Sequence, residues 1–216
     1  MIDFVSAKVS ERKLRLLACA GCRHIANLFN NQILFDALEL IEKYADRSAS
    51  NCELARTEKA VWDFRDENCA KQIMAPIGAA LGHAAYPSIA RSVGDCLVCC
   101  ANAKADEVKQ EVYSGRLPDN YDSLIRQREL GIFAKFVRDI FGNPFRPLIC
   151  KPEWQTTAVQ ELAQAIYNQR EFESLPALAD ELENAGCKTR SMLDHCRRPG
   201  RHVRGCWVLD TILGKM

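Results

Sequence analysis

The sequence predicts an all-α protein, an antiparallel bundle or array of about eight to ten helices. Three observations carry that expectation. Apolar residues recur at three- and four-residue spacing through most of the chain, the period of a helix with one buried face. No segment alternates apolar and polar residues as a half-buried strand does. The breaks between periodic segments are short and hold Gly, Pro, Asn or Ser.

Taken in order, residues 11–29 read as an amphipathic helix behind Ser10 as N-cap, with Leu14, Leu17, Ala18, Gly21, Ile25 and Leu28 on one face. Asn30-Asn31 breaks it. A second helix over 32–46 places Ile33, Ala37, Leu40, Ile41 and Tyr44 inward, and so short a break favours an antiparallel pair. Asn51 is positioned to cap a third helix reaching Met74, where Ala75-Pro76-Ile77-Gly78 interrupts the pattern. One or two turns over 79–85 precede a long helix that starts at Pro87-Ser88 and runs to Tyr113. Ser114-Gly115-Arg116-Leu117-Pro118 is the clearest internal boundary, so residues 1–117 and 118–216 are the expected subdomains. Asp119 or Asn120 opens a helix to Phe141. Gly142-Asn143-Pro144 stops it, and Arg146-Pro147 keeps the next residues extended. A short strand or extended turn fits at 149–154. Thr157 with Gln160 matches a capping box for a helix to Arg170. Ser174 and Pro176 begin another, ending at Gly186, a C′ glycine. Short helices over 189–196 and 205–213 flank Pro199-Gly200.

At 216 residues the chain is long enough to bury a sizeable core. Its 29 Lys and Arg balance 28 Asp and Glu, so the formal charge is +1, which argues against a dedicated polyanion binder but leaves room for a local basic patch. The opening residues lack the apolar stretch and cleavage site of a signal peptide, and no apolar run approaches the roughly 20 residues needed to span a bilayer. A cytoplasmic protein with no membrane contact is expected. Eleven Cys, an odd number, then read as free thiols in a reducing compartment, most of them packing as small hydrophobes.

The segments RDIFGNPFRP (138–147), ELAQAIYNQREFESLPALADELENAGC (161–187) and HCRRPGRHVRGCWVLDTILGK (195–215), with LRLLACAGCRHI (14–25), resemble a family of uncharacterised bacterial proteins of planctomycete type. The resemblance covers most of 138–215 and a short N-terminal patch. It implies a helical protein and brings no activity, cofactor or catalytic residue.

The most unusual stretch is 194–215, and four constellations compete. Cys187, His195, Cys196, His202 and Cys206 place five zinc-compatible donors within a short span. The spacing matches no standard zinc pattern, and the plainer account packs the thiols in the core and bonds the imidazoles to backbone. Cys19-Ala-Gly-Cys22 with Cys96-Leu-Val-Cys99-Cys100 offers two CxxC pairs, but each sits inside a helix, where apolar packing is the usual reason. Arg197, Arg198, Arg201, His202 and Arg204 form a basic loop able to reach phosphate or nucleic acid. Against it, Glu171, Glu173, Asp180, Glu181 and Glu183 lie just upstream as internal partners. Cys206 with His202 is a thiol–imidazole pair that Asp194 or Asp210 would orient, with no catalytic signature around it. Trp207 is expected to lock the last helix down.

No paired carboxylates, triad order, phosphate loop or standard metal spacing appears. The sequence therefore favours a non-catalytic helical module that binds another protein and carries no cofactor. A zinc-binding protein or Cys/His-dependent enzyme using the C-terminal donors is the first alternative, and a nucleic-acid or phosphate binder is the second.

Overall fold

The computed structural model describes residues 10–29, 31–70, 73–111, 120–143, 145 and 148–215. Among them the chain forms ten α-helices, three 3-10 turns and no strand, so the all-α expectation holds. The helices are α1 (Glu11–His24), α2 (Gln32–Ala45), α3 (Asn51–Glu67), α4 (Met74–Ala85), α5 (Ile89–Glu111), α6 (Tyr121–Phe141), α7 (Thr157–Gln169), α8 (Leu175–Asn184), α9 (Arg190–Arg197) and α10 (Trp207–Ile212). None is long and apolar enough to cross a membrane. The chain divides into two compact units, Met1–Ala134 and Lys135–Met216. The boundary expected at Ser114–Pro118, Asn30 of the first break, the helix start at Asp119, Pro144 of the stop, and Arg146 and Pro147 of the extended stretch lie outside the described residues.

Side-chain caps start α2, α3 and α7, the last two one residue away from the expected position. Ser50, not Asn51, caps α3: its hydroxyl accepts from the Glu53 backbone N–H, and the Glu53 carboxylate accepts from the Ser50 N–H. Thr156, not Thr157, caps α7 by accepting from Val159 N. Asn31 caps α2 through Ile33 N. Ser10 precedes α1 but makes no side-chain cap.

Four further expectations are corrected. Residues 11–29 are not one helix: α1 ends at His24 and a 3-10 turn, Ala26–Leu28, follows. Pro76 does not interrupt a helix. It is the third residue of α4, within the first turn, where a backbone N–H has no intrahelical partner to lose. The break comes earlier, with α3 ending at Glu67. In α2 the buried stripe is Leu34, Ala37, Leu38, Ile41 and Ala45, whereas Ile33 is 47% exposed. Two adjacent apolar rows were readable there, and the core took the one anchored on Leu34. Residues 149–154 form no strand, only the 3-10 turn Pro152–Trp154.

In the first unit α1 is buried over Lys13–Cys22 and packs on α2, α4 and α5. Its Arg15 is 2% exposed. The guanidinium donates to the carbonyls of Ala84 (2.7 Å), Tyr86 (3.1 Å) and Pro87 (3.2 Å), and it lies over the Tyr44 ring. Those carbonyls cluster at the C-terminal end of α4, where a helix has acceptors without internal donors. Close packing is enforced by small residues. A Cβ on Gly82 of α4 would stand 2.5 Å from the Trp62 ring of α3.

In the second unit α7, α8, α9 and α10 enclose a core that includes Val159, Ile166, Tyr167, Leu178, Leu182, Met192 and Leu209. Gly186, at φ +86°, ends α8. Cys187 N bonds Leu182 O and Gly186 N bonds Glu183 O, the paired reversal of a Schellman motif. Cys187 supplies the buried apolar contact that goes with it.

Two glycine substitutions of opposite sign test this packing. Gly82→Ala, driven into Trp62, should cost about 1–3 kcal/mol. Gly94→Ala, in the interior of α5 with open space around the added Cβ, should gain about 0.5–1 kcal/mol. Urea midpoints at constant m-value check both.

Candidate metal centre

Four side chains of the second unit converge: Asp139, His195, His202 and Cys206. Each is placed by a specific local feature. Asp139 lies in the last turn of α6, which ends at Gly142 with φ +58°. A Cβ there would meet the Trp207 ring at 2.9 Å, so only glycine lets the chain turn beneath that ring. His195 is in the last turn of α9, beside Met192, Leu193 and Cys196, which face the core. The chain then turns through Gly200 and reaches His202. Gly205, at φ +92°, reverses it so that Cys206, the residue before α10, returns to the same point. The Trp207 ring lies 5.1 Å from the His195 ring and helps fix its plane.

The geometry centres on one carboxylate. Asp139 Oδ1 is 2.6 Å from His202 Nδ1 and 3.1 Å from His195 Nε2. Its other oxygen, Oδ2, accepts from the Val203 backbone N–H at 2.9 Å. His195 Nε2 is also 3.2 Å from Cys206 Sγ. His202 Nε2 turns the other way, toward the Arg198 carbonyl at 3.4 Å. One donor atom from each of the four residues lies within 4.8 Å of the others. A zinc ion with bonds of about 2.0–2.3 Å would set tetrahedral neighbours ~3.3–3.7 Å apart, so the 2.6 Å contact between Asp139 and His202 would have to open to admit one.

Burial shapes the electrostatics. It pushes the Asp139 carboxyl up, but the bonds from His195 and His202 outweigh it and leave the group below its ordinary range. It works against the charged form of His202, yet the Asp139 contact raises that imidazole overall. Burial, then the charge of Asp139, hold the Cys206 thiol well above its ordinary value. The same two causes push Cys196 up to about 12.

Of the five sequence candidates, His195, His202 and Cys206 come together, while Cys187 and Cys196 are core residues and do not join the group. Neither Asp194 nor Asp210 is its carboxylate. Asp194 is exposed, Asp210 lies within α10, and the position belongs to Asp139. Asp139 escaped sequence reasoning because it is 63 residues from His202. Its one signal was an acid among the apolar positions Phe136 and Ile140. The geometry also disfavours a Cys–His–Asp catalytic relay. That relay needs the thiol and the carboxylate on different nitrogens of one imidazole. Here His195 meets both through Nε2, and Cys206 is 0% exposed.

The basic loop is partly spent on internal partners. Arg197 pairs with Asp180 at 2.6 Å and with Glu183, as the upstream acids suggested. Arg204 lies over the Tyr167 ring, 4.7 Å from its centre. The CxxC thiols regroup: Cys22, Cys96 and Cys100 of the first unit meet, without Cys19 or Cys99. Comparison of the chain with family models, curated proteins and solved structures gives no match.

Removing Asp139 strands three donors in a buried place. In protein stripped of metal, Asp139→Ala should cost about 3–5 kcal/mol in urea unfolding. Asp194→Ala, at an exposed position, should stay within about 0.5 kcal/mol of wild type.

Proposed function

We propose that residues 135–216 form a zinc-binding helical module, with Asp139, His195, His202 and Cys206 as its four ligands. The observation that carries the reading is the double approach to His195 Nε2, by the sulfur of Cys206 and the oxygen of Asp139. A single nitrogen facing two other donors marks a shared centre of coordination more than a chain of proton transfer. One thiolate, two imidazoles and one carboxylate suit zinc, whose four-coordinate protein sites take nitrogen, sulfur and oxygen donors in this way. The outer contacts also fit. Ligating histidines commonly donate their second N–H to a carbonyl, as His202 faces Arg198 O, and ligating carboxylates are themselves hydrogen-bonded, as Asp139 is by Val203 N.

The role we assign is structural and non-catalytic. A catalytic zinc keeps an open position for water or substrate. Here the side chains of His195, His202 and Asp139 are 13%, 9% and 5% exposed and Cys206 is 0% exposed. On this reading the ion displaces the Cys206 proton, replaces the Asp139–imidazole hydrogen bonds and fixes the loop 198–206 to the end of α6. The module's partner, as expected from the sequence, is another protein.

Protein purified without chelator should carry one zinc per chain by elemental analysis, and cobalt exchanged into the site should show the visible bands of a tetrahedral thiolate centre. His202→Ala and Cys206→Ala should each abolish stoichiometric metal. Zinc at a thousand times its dissociation constant should raise unfolding stability by about 4 kcal/mol. Protein that holds no metal and melts at the same temperature with and without added zinc would refute the proposal.

A further inference from the structure

A second cluster of donors lies in the first unit and differs from the first in kind. Cys22 of α1 and Cys96 and Cys100 of α5 are each 0% exposed, and their sulfurs lie within 4.8 Å of one another. Cys22 and Cys96 are 3.8 Å apart. The Cys96–Cys100 spacing puts both thiols on one helical face. Gly21 brings that face against α1, since a Cβ there would overlap Leu97 at 2.7 Å and touch Cys100 Sγ at 3.4 Å. No imidazole or carboxylate belongs to this group.

Packing alone asks only for small apolar side chains at these positions. Three sulfurs turned toward one point is a narrower arrangement, and it selects its ligand by charge as well as by softness. Thiolates take soft centres. The titratable groups acting most on these three are other thiols, Cys19 and Cys99 among them. Burial holds the Cys100 thiol well above its ordinary value, and Cys96, through Cys100 and burial, stands there too. A monovalent or divalent metal bound by three thiolates leaves a net negative charge in this apolar place, which is costly without a paired cation. A trivalent centre leaves none.

We propose that Cys22, Cys96 and Cys100 form a three-sulfur site for a trivalent thiophilic centre of the arsenous acid class. The reaction is an exchange of ligands: As(OH)3 and three thiols give As(S-Cys)3 and three waters. Three As–O and three S–H bonds break, three As–S and three O–H bonds form, and arsenic stays trivalent. Neutral reactants give a neutral product, so nothing charged is buried. Because the thiols are closed off, entry requires local opening of α1 from α5, and binding should be slow and level off at high reagent concentration.

The test uses the full reduced chain with zinc present and the exposed Cys52 and Cys69 changed to Ser. Incubated with sodium arsenite and gel-filtered, this protein should retain one arsenic per chain. X-ray absorption at the arsenic edge should show three sulfur neighbours and no oxygen. Cys22→Ala, Cys96→Ala and Cys100→Ala should each lose the retained equivalent while keeping the helical circular dichroism of the parent, and His202→Ala should keep it. Arsenic lost on gel filtration, held by fewer than three sulfurs, or held equally by the three alanine variants would overturn the proposal. The absorption measurement stands even if a variant fails to fold.

Discussion

The second unit depends on one buried carboxylate. Taking an ionised Asp139 out of water is expensive, and it is tolerated because three donors meet it: two imidazoles at Oδ1 and the Val203 N–H at Oδ2. The division of labour between the two oxygens matters. The backbone bond fixes the plane of the carboxylate and so aims the other oxygen at the imidazoles. In return, Asp139 ties down a loop with little regular structure of its own, since residues 198–206 contain no helix and turn through two glycines of positive φ. That anchor holds His202, and through Val203 the chain leading to Cys206, beside His195.

Much of the fold was legible because helix formation here is local. The three- and four-residue recurrence of apolar side chains announces each helix, and Gly142 and Gly186 mark ends that need left-handed backbone. What misled was local ambiguity. Ser50-Asn51 and Thr156-Thr157 each offer two adjacent capping residues, and only the geometry of the third N–H decides between them. Pro76 reads as a breaker anywhere but in the first turn, and the register of α4 put it there. Ile33 and Leu34 begin two equally apolar rows, and the choice between them was made by tertiary packing.

The site was half legible for the same reason. His195, His202 and Cys206 are near in sequence and could be nominated together, but Asp139 comes from another helix. Cys187 and Cys196 were indistinguishable from ligands by residue type, yet one completes the end of α8 and the other packs in the core. In the first unit the CxxC spacing drew attention to the right helices for the wrong pairs. The thiols that meet are the i,i+4 pair on α5 and a single partner on α1. Helical spacing, not the familiar motif, selects which sulfurs share a face. The two clusters also contrast in charge: the mixed donor set balances an anion against imidazoles, whereas the sulfur-only set is made of thiols alone.

Arg15 shows a different way to keep a charge inside a protein. Its guanidinium is held by peptide carbonyls at the end of α4, at Ala84, Tyr86 and Pro87. Peptide dipoles do not titrate, so acid that neutralises surface carboxylates leaves this clasp between α1 and α4 intact. Mobile ions screen exposed charges far better than buried ones, so brine should not loosen it either. A lysine ammonium, compact and without the planar fork, could not span three carbonyls spread over this stretch of chain. The join between these helices is thus built from groups that acid cannot switch off and that dissolved salt reaches poorly.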